Sequence, residues 1–310
     1  MKNLLIADIG GTNTRLYITD INNNVLYESV GYGVATATDE DLPILSLEEQ
    51  IAELPEKQNV GAIAINLGGK NTNQVKKCFK KVFCDTPLEI FRESEGTAAY
   101  ALGEEYNAPV VLMAGTGAIA VGKSNNGFVI TGGWGINIGD DGSGYDIGLQ
   151  AIRMSLKALD NTETLSPLTK FLCNCDQPIS ATENPVLYRD KRDIVRSKLY
   201  PFDRPNISSL SKTVFEFAKK GDKSALDILK YSGEKLAELV ICTANKLSGE
   251  IPNVVVTGGL IHSREFWKEY FEKAVLDAIP NVKIYYVPDG LLKGTFKIAK
   301  DLYERGKIND

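Results

Sequence analysis

Histidine is scarce in this sequence, long apolar runs are missing, and the cysteines are odd in number. The single histidine, His262, follows a glycine turn, so a triad of the serine or cysteine hydrolase kind would depend on this one loop residue. No apolar run approaches the roughly 18 residues of a membrane span. Five cysteines argue against a disulfide scaffold, and the Cys173–Cys175 pair has no second pair or nearby histidine to complete a metal site.

The chain is also short of positive charge. Its formal net charge is −5, whereas non-specific nucleic-acid binders are usually basic, so we expect no nucleic-acid partner. A phosphate ligand is not excluded, because backbone N–H groups, a helix N-terminus and Mg²⁺ supply local positive potential. The first apolar run stops at Asp8, too short for a signal peptide, so we expect a cytoplasmic protein without a membrane partner.

The same order of predicted elements occurs twice. A strand, a glycine turn and two more strands precede alternating helices and strands in each half, which predicts a duplicated α/β domain with a cleft between the copies. We predict a first lobe at 1–107 and a second at 108–290, with the terminal helix 291–310 packing back on the first. The prolines and mixed charges of 173–205 indicate an irregular loop or insertion.

The first glycine turn has the composition of a phosphate loop. Glycines let a backbone approach a phosphate closely. The carboxylate of Asp8, at a strand end, suits a Mg²⁺ ion held through water, because Mg²⁺ prefers oxygen ligands and keeps several waters. The alternative is a plain glycine-rich hairpin with a capping aspartate. The predicted ATP-binding residues here are Asp8, Gly10, Gly11, Thr12, Asn13 and Thr14.

Two further glycine turns follow strands in the second half. The hairpin Gly115-Thr116-Gly117 places a hydroxyl between two glycines, which suits a phosphate or a sugar pressed against the main chain. Gly258-Gly259 ends an apolar strand and leaves a surface without side chains, on which a nucleobase or ribose can lie. The alternative for the Gly258-Gly259 turn is a tight strand-to-helix connection.

The segment 132–148 is the most distinctive. Seven of its 17 residues are glycine, too many for a regular strand or helix. They surround Trp134 and the pair Asp140-Asp141 and lead into a predicted helix. Such a segment is typical of a ligand loop, and Asp140 can accept hydrogen bonds from sugar hydroxyls. The alternative is a structural crossing between domains.

These four segments, in this order, resemble those of the sugar kinase, heat-shock ATPase and actin superfamily. The sequence of 132–153, G-G-W-G-I-N-I-G-D-D-G-S-G-Y-D-I-G-L-Q-A-I-R, resembles the signature of the BadF/BadG/BcrA/BcrD ATPase group, which includes N-acetylglucosamine kinases. The resemblance implies two ribonuclease H-like (actin-like ATPase) domains with an interdomain cleft. It also implies ATP-dependent phosphorylation of a sugar, N-acetylglucosamine or a related hexose or amino sugar.

The resemblance also implies a role for each segment. ATP with Mg²⁺ would be the cofactors, with the first loop and the Gly115 to Gly117 hairpin on the phosphates and Gly258 and Gly259 against adenosine. The partner would be a small-molecule sugar, and we expect a homodimer. The residues implied for sugar binding are Thr116, Gly133, Trp134 and Asp140.

The chain departs from the family pattern at two places. Family kinases carry a catalytic Asp after the short strand that we place at 88–91, and the matching residue here is Glu93, with Glu95 as second choice. Alternatively, both glutamates cap the following helix. The family's sugar-binding Asn after the third strand has no clear match in 31–38.

Two other functions fit the same segments. One is an ATPase that activates an iron–sulfur dehydratase, for which Cys78, Cys84 or the Cys173–Cys175 pair would hold the cluster. The other is a catalytically weak sensor of ATP or sugar, suggested by the Glu at the catalytic position.

Overall fold

The computed structural model describes residues 2–10, 13–34, 41–68, 71–92, 96–124, 127–135, 138–160, 165–174, 185–197 and 204–308. The chain divides into two compact units. The first consists of Met1–Asn107 with Asp289–Asp310, and the second of Ala108–Pro288.

The described residues of the first unit form five strands and three helices before the chain leaves it. The strands are β1 (Asn3–Ile9), β2 (Asn13–Thr19), β3 (Val25–Tyr32), β4 (Val60–Leu67) and β5 (Leu88–Arg92). The helices are α1 (Asp41–Glu53), α2 (Thr72–Val82) and α3 (Thr97–Glu105), with a short 3₁₀ turn at Lys57–Asn59.

The second unit repeats this order of strands and has more helices. Its strands are β6 (Val110–Ala114), β7 (Ala118–Ser124), β8 (Gly127–Gly132), β9 (Asn253–Thr257) and β10 (Lys283–Tyr286). Its helices are α4 (Gly144–Leu159), α5 (Pro167–Cys173), α6 (Pro185–Ser197), α7 (Arg204–Lys219), α8 (Lys223–Ala244) and α9 (Lys268–Ala278). The final helix, α10 (Gly290–Ile308), belongs to the first unit.

The two sheets have the same strand order. The first is β3-β2-β1-β4-β5 and the second, read from its other edge, is β8-β7-β6-β9-β10. In each sheet the first three strands pair antiparallel and the last two add in parallel. The predicted duplicated α/β fold is therefore confirmed.

Burial patterns explain the strand order in the first sheet. Every residue of β4 is buried, as expected of a central strand covered on both faces, whereas β3 alternates between exposed and half-buried residues, as expected at an edge. One face packs on α1 and α2 through residues such as Leu47 and Phe79. The other packs on α3 and α10 through Ala98 and Ile298.

The segment predicted to be irregular, 173–205, contains a helix. Because proline favours the first helical position, Pro185 is compatible with the start of α6. Within α6, the Arg192 guanidinium lies 3.7 Å from the Asp160 carboxylate. The prediction of an irregular loop was wrong for 185–197, because Pro185 stands at the start of a helix there.

The apolar pattern of 264–278 favours a single helix, but the structure divides this segment. A 3₁₀ helix covers Gly259–Phe266, with Ser263 in a non-helical conformation, and α9 begins at Lys268. The break lies beside Trp267, which is fully buried and donates its indole N–H to the Leu260 carbonyl at 3.2 Å. Tertiary packing of this tryptophan therefore overrides the continuous helical pattern.

Candidate functional site

Asp8 lies at the carboxyl end of β1, between two neighbouring strands. The β-sheet register pairs it with Arg15 of β2 and with Asn66 of β4. The Asn66 side-chain amide donates a hydrogen bond from Nδ2 to Asp8 Oδ1 at 3.0 Å. Asp8 is therefore a half-buried carboxylate that accepts a hydrogen bond from Asn66 and lies beside Arg15 in the sheet.

Burial raises the pKa of Asp8, while the hydrogen bond from Asn66 and the positive charge of Arg15 lower it and only partly offset the desolvation. A carboxylate of this kind is stabilised by a nearby cation. Its oxygen atoms match the oxygen ligands and ligand-bound waters that Mg²⁺ prefers. The residues present therefore fit a hydrated magnesium ion.

The turn after β1 is closed by its own backbone. Gly10 donates its N–H to the Asn13 carbonyl at 2.9 Å, which brings the two strand ends together. Asn13 is exposed, whereas Thr14 is fully buried and its hydroxyl oxygen has no partner among the described residues. The predicted residues Gly11 and Thr12 lie outside the described part of the chain.

The hairpin between β6 and β7 presents two free backbone donors. Gly115 N–H bonds the Gly117 carbonyl, and the carbonyls of Gly115 and Thr116 accept from Gly144 N–H at 2.8 Å and Tyr145 N–H at 3.1 Å. Within the described part of the chain, the N–H groups of Thr116 and Gly117 have no partner. Adjacent unpaired N–H groups form an anion-binding concavity, which fits a phosphate.

The backbone N–H groups at the start of α4 are occupied by hydrogen bonds within the protein. Ser143 caps the helix by accepting a hydrogen bond from Asp146 N–H, and the Asp146 carboxylate accepts from Gly142 N–H at 2.8 Å. Gly144 and Tyr145 donate to the hairpin. The free donors therefore belong to the hairpin, while the helix start holds that hairpin in place.

The two glycines after β9 have different roles. Gly258 has a left-handed φ of 101°, and a Cβ atom there would lie 2.4 Å from the Ala114 carbonyl oxygen at the end of β6. A Cβ at Gly259 would meet nothing within 4 Å. Gly258 is therefore required by packing, whereas Gly259 leaves open space next to the hairpin, near Gly115.

The glycine-rich loop is tied to the hairpin at Ala118. Gly133 N–H donates to the Ala118 carbonyl at 2.9 Å, and Ala118 N–H donates to Asp140 Oδ1 at 3.3 Å. Asp140 is 5% exposed and has a left-handed φ of 62°. Trp134, in contrast, is 75% exposed and projects from the loop. One oxygen of Asp140 therefore serves the loop itself.

The residues expected to act as the base lie outside the described part of the chain. β5 ends at Arg92, and Glu93 and Glu95 follow it in a gap between described ranges. Asn66 is a further candidate residue that was not predicted from the sequence. A signal was present, because one carboxamide stands among the apolar and glycine residues of β4.

Two of the four described cysteines are poorly suited to hold a cluster or act as nucleophiles. Cys173 is buried, and burial together with the charge of Glu48 raises the pKa of Cys78 to about 11. Cys84 is exposed, with a thiol 3.2 Å from the Asp85 carboxylate. Among described residues, no three acidic, histidine or cysteine side chains form a group that could hold a metal.

The described helices include none long and apolar enough to cross a membrane.

Two curated relatives cover nearly the whole chain. An N-acetylmuramic acid/N-acetylglucosamine kinase from Clostridium acetobutylicum is 26% identical over 97% of this chain and 99% of its own length. An N-acetyl-D-glucosamine kinase from Dictyostelium discoideum is 28% identical over 89% of this chain and 91% of its own length.

Solved structures share the fold. A candidate N-acetylglucosamine kinase from Chromobacterium violaceum has a TM-score of 0.65 at 21% identity, covering 98% of this chain and 99% of that one. A ROK family glucokinase from Streptomyces griseus, in complex with glucose and AMPPNP, has a TM-score of 0.59 at 14% identity, covering 96% and 99%. These likenesses confirm the predicted actin-like ATPase fold.

The family model gives the same result as the residue patterns. The model of the BadF/BadG/BcrA/BcrD ATPase family matches residues 7–296, so all four glycine-rich segments fall inside the match. The resemblance inferred from those segments is confirmed, and the chain belongs to the BadF/BadG/BcrA/BcrD ATPase family.

Proposed function

We propose that this chain is an ATP-dependent sugar kinase that phosphorylates N-acetylglucosamine or a related hexose or amino sugar. The observation that carries the proposal is the full-length similarity to two kinases of N-acetylated amino sugars. Membership of an ATPase family and the free N–H pair of the Thr116 hairpin support the nucleotide half.

In the first unit, the proposed task is to hold magnesium on the nucleotide. Asp8 would accept hydrogen bonds from water molecules of the ion, with Gly10, Gly11, Thr12, Asn13 and Thr14 as the proposed phosphate loop. When bound, Mg²⁺ neutralises the charge that builds up on the phosphate oxygens during transfer. Thr14 would act through its backbone, because its side chain is enclosed.

In the second unit, the proposed task is to hold phosphate, adenosine and sugar. The N–H groups of Thr116 and Gly117 would donate to phosphate oxygens, with Gly115 shaping the turn. Gly258 and Gly259 would lie against adenosine. For the sugar, we propose Thr116, Gly133, Trp134 and Asp140, and the exposed indole of Trp134 offers an apolar face to a pyranose ring.

Glu93 is the proposed general base for the attacking sugar hydroxyl. Its side chain is one methylene longer than that of Asp, and a misplacement of about 1 Å can cost on the order of a hundredfold in rate. We expect Glu93→Gln to abolish phosphorylation and Glu93→Asp to keep or raise kcat. Unchanged kcat in Glu93→Gln would remove Glu93 from the mechanism.

The decisive experiment measures ADP release from purified protein and MgATP with a panel of hexoses and N-acetylated amino sugars. We expect stimulation by N-acetylglucosamine or a close relative, and a raised sugar KM in Asp140→Asn with little change in the ATP KM. If no sugar stimulates ADP release, the kinase proposal fails.

The Glu at the catalytic position favours one second candidate, a sensor that binds ATP or sugar with little turnover. Binding measured by calorimetry without turnover, unchanged in Glu93→Asp, would select it. For the iron–sulfur activator, the burial of Cys78 and Cys173 is unfavourable. The homodimer and the cytoplasmic location stay predictions, and light scattering of the purified protein tests the first.

A further inference from the structure

Asn66 is a polar side chain where packing alone would favour an alkyl group. Every residue of β4 is buried, and Asn66 is 1% exposed. The preceding residues on the same face of the strand, Ala62 and Ala64, belong to the apolar core against α3 and α10. Burying a carboxamide is unfavourable unless its hydrogen bonds are made, so its presence here needs a reason other than packing.

Only half of the Asn66 amide is used. Nδ2 donates to Asp8 Oδ1 at 3.0 Å, whereas the buried Asn66 Oδ1 has no partner in the described structure. A residue that served stability alone would have both ends satisfied. The bond to Asp8 is therefore the interaction for which the amide is retained.

The same bond decides which oxygen of Asp8 is available. Oδ1 is occupied by Asn66, and no described residue donates a hydrogen bond to Oδ2. Because the β1–β4 register places Asn66 directly beside Asp8, the amide also limits rotation of the carboxylate about its Cβ–Cγ bond. The carboxylate is thus held in one orientation with one free oxygen.

We propose that Asn66 is a positioning residue for the magnesium site, which orients Asp8 so that Oδ2 faces the water shell of MgATP. The inference rests on the magnesium–ATP part of the proposed function and not on the identity of the sugar. It assigns Asn66 a role through Asp8, without contact to the reacting atoms.

The test is the affinity for ATP with and without magnesium in Asn66→Leu, which is close in shape but cannot donate. Loss of a group that orients a metal ligand typically lowers metal affinity about 10–100-fold. We expect the calorimetric Kd for ATP in Mg²⁺ to rise at least about tenfold, with the Kd in EDTA nearly unchanged. An equal change in both, or none in either, would overturn the proposal.

A double-mutant cycle tests whether Asn66 acts through Asp8. In the Asp8→Asn background, Asn66→Leu should change the MgATP affinity little, because the oriented carboxylate is already gone. Additive losses would show an independent role and contradict the proposal. If Asn66→Leu fails to fold, as judged by circular dichroism, Asn66→Ala is measured by the same criteria.

Thr19→Val provides the matched control. Thr19 is fully buried in β2, and its hydroxyl oxygen has no partner among the residues that the structure describes. It pairs with Leu4 at the other end of β1. The Thr19→Val variant should leave the Kd for ATP unchanged, both in Mg²⁺ and in EDTA. The calorimetric titrations contain no sugar, so their outcome does not depend on the kinase proposal. If Asn66→Leu weakened ATP binding only in Mg²⁺ and no sugar stimulated ADP release, the role of Asn66 would stand and the kinase proposal would fail.

Discussion

At the residue scale, Asp8 combines burial with a charge, and function and stability oppose each other there. Because burial raises its pKa above the 3.8 of a free side chain, the protonated form is favoured in the folded state. Without metal, the folded protein is therefore stabilised by this group below pH 3.8 and loses that stability as pH rises through the raised pKa. A bound cation would offset the penalty.

We predict that Asp8→Asn is more stable than the wild type at neutral pH without metal, and much less active. The difference in Tm between the two should grow as pH rises above 3.8, because only the wild type ionises this half-buried carboxylate. Scanning calorimetry in EDTA measures this difference. A variant that became less stable than the wild type as pH rises would contradict the assignment.

Cys78 gives a second prediction at this scale. Its pKa of about 11, raised first by burial and then by the charge of Glu48, leaves little thiolate at pH 8. Iodoacetamide should modify the exposed Cys84 and Cys242 rapidly and leave Cys78 and the buried Cys173 unmodified. Peptide mass spectrometry gives the site of labelling, and labelling in guanidinium is the control. Rapid labelling of Cys78 in the native protein would contradict its burial.

At the scale of elements, the glycine turn after β9 allows a sharp comparison. Gly258→Ala places Cβ 2.4 Å from the Ala114 carbonyl at a φ of 101°, whereas Gly249→Ala has a φ of 112° and nothing within 4 Å. Both variants carry backbone strain, but only the first carries a clash, which adds about 1–3 kcal/mol.

We therefore expect Gly258→Ala to unfold at lower denaturant concentration than Gly249→Ala and to bind ATP more weakly. The reason for the weaker binding is that Ala114 leads directly into the hairpin with the free N–H groups. Urea unfolding and calorimetric titration measure both effects. Equal losses in the two variants would show that backbone strain, rather than the contact with β6, dominates.

Sequence patterns predict elements well where a single principle decides them. Apolar runs bounded by glycine or asparagine turns predicted the three strands that open each sheet, since alternation and turn residues act locally. The break at Trp267 was missed because it depends on tertiary packing. The Ala118–Asp140 bond could not be predicted either, since it joins residues 22 positions apart.

At the scale of the whole molecule, the first unit is built from both ends of the chain. Its core against α3 includes Leu4 and Ile6 from β1 and Ile298 and Ala299 from α10. The second unit is continuous in sequence. The stability of the first unit therefore depends on a helix that is synthesised after the entire second unit.

Two glycines of α10 test this dependence. A Cβ at Gly294 would lie 2.0 Å from the Ala98 carbonyl of α3, whereas one at Gly306 would meet nothing within 4 Å. Alanine is favoured over glycine inside a helix by about 1 kcal/mol, so helix propensity alone would make both variants more stable. We expect Gly306→Ala to follow that rule and Gly294→Ala to break it, because α10 must move away from α3.

Hydrogen exchange followed by mass spectrometry separates the two units in this experiment. Gly294→Ala should speed exchange in peptides from β1, β4 and α3, which pack with α10, and leave β6 and β9 of the second unit near their wild-type rates. Gly306→Ala should slow exchange or leave it unchanged. Faster exchange in the second unit as well would mean that the units unfold together, because an opening confined to the first unit cannot expose strands whose core lies entirely within 108–288.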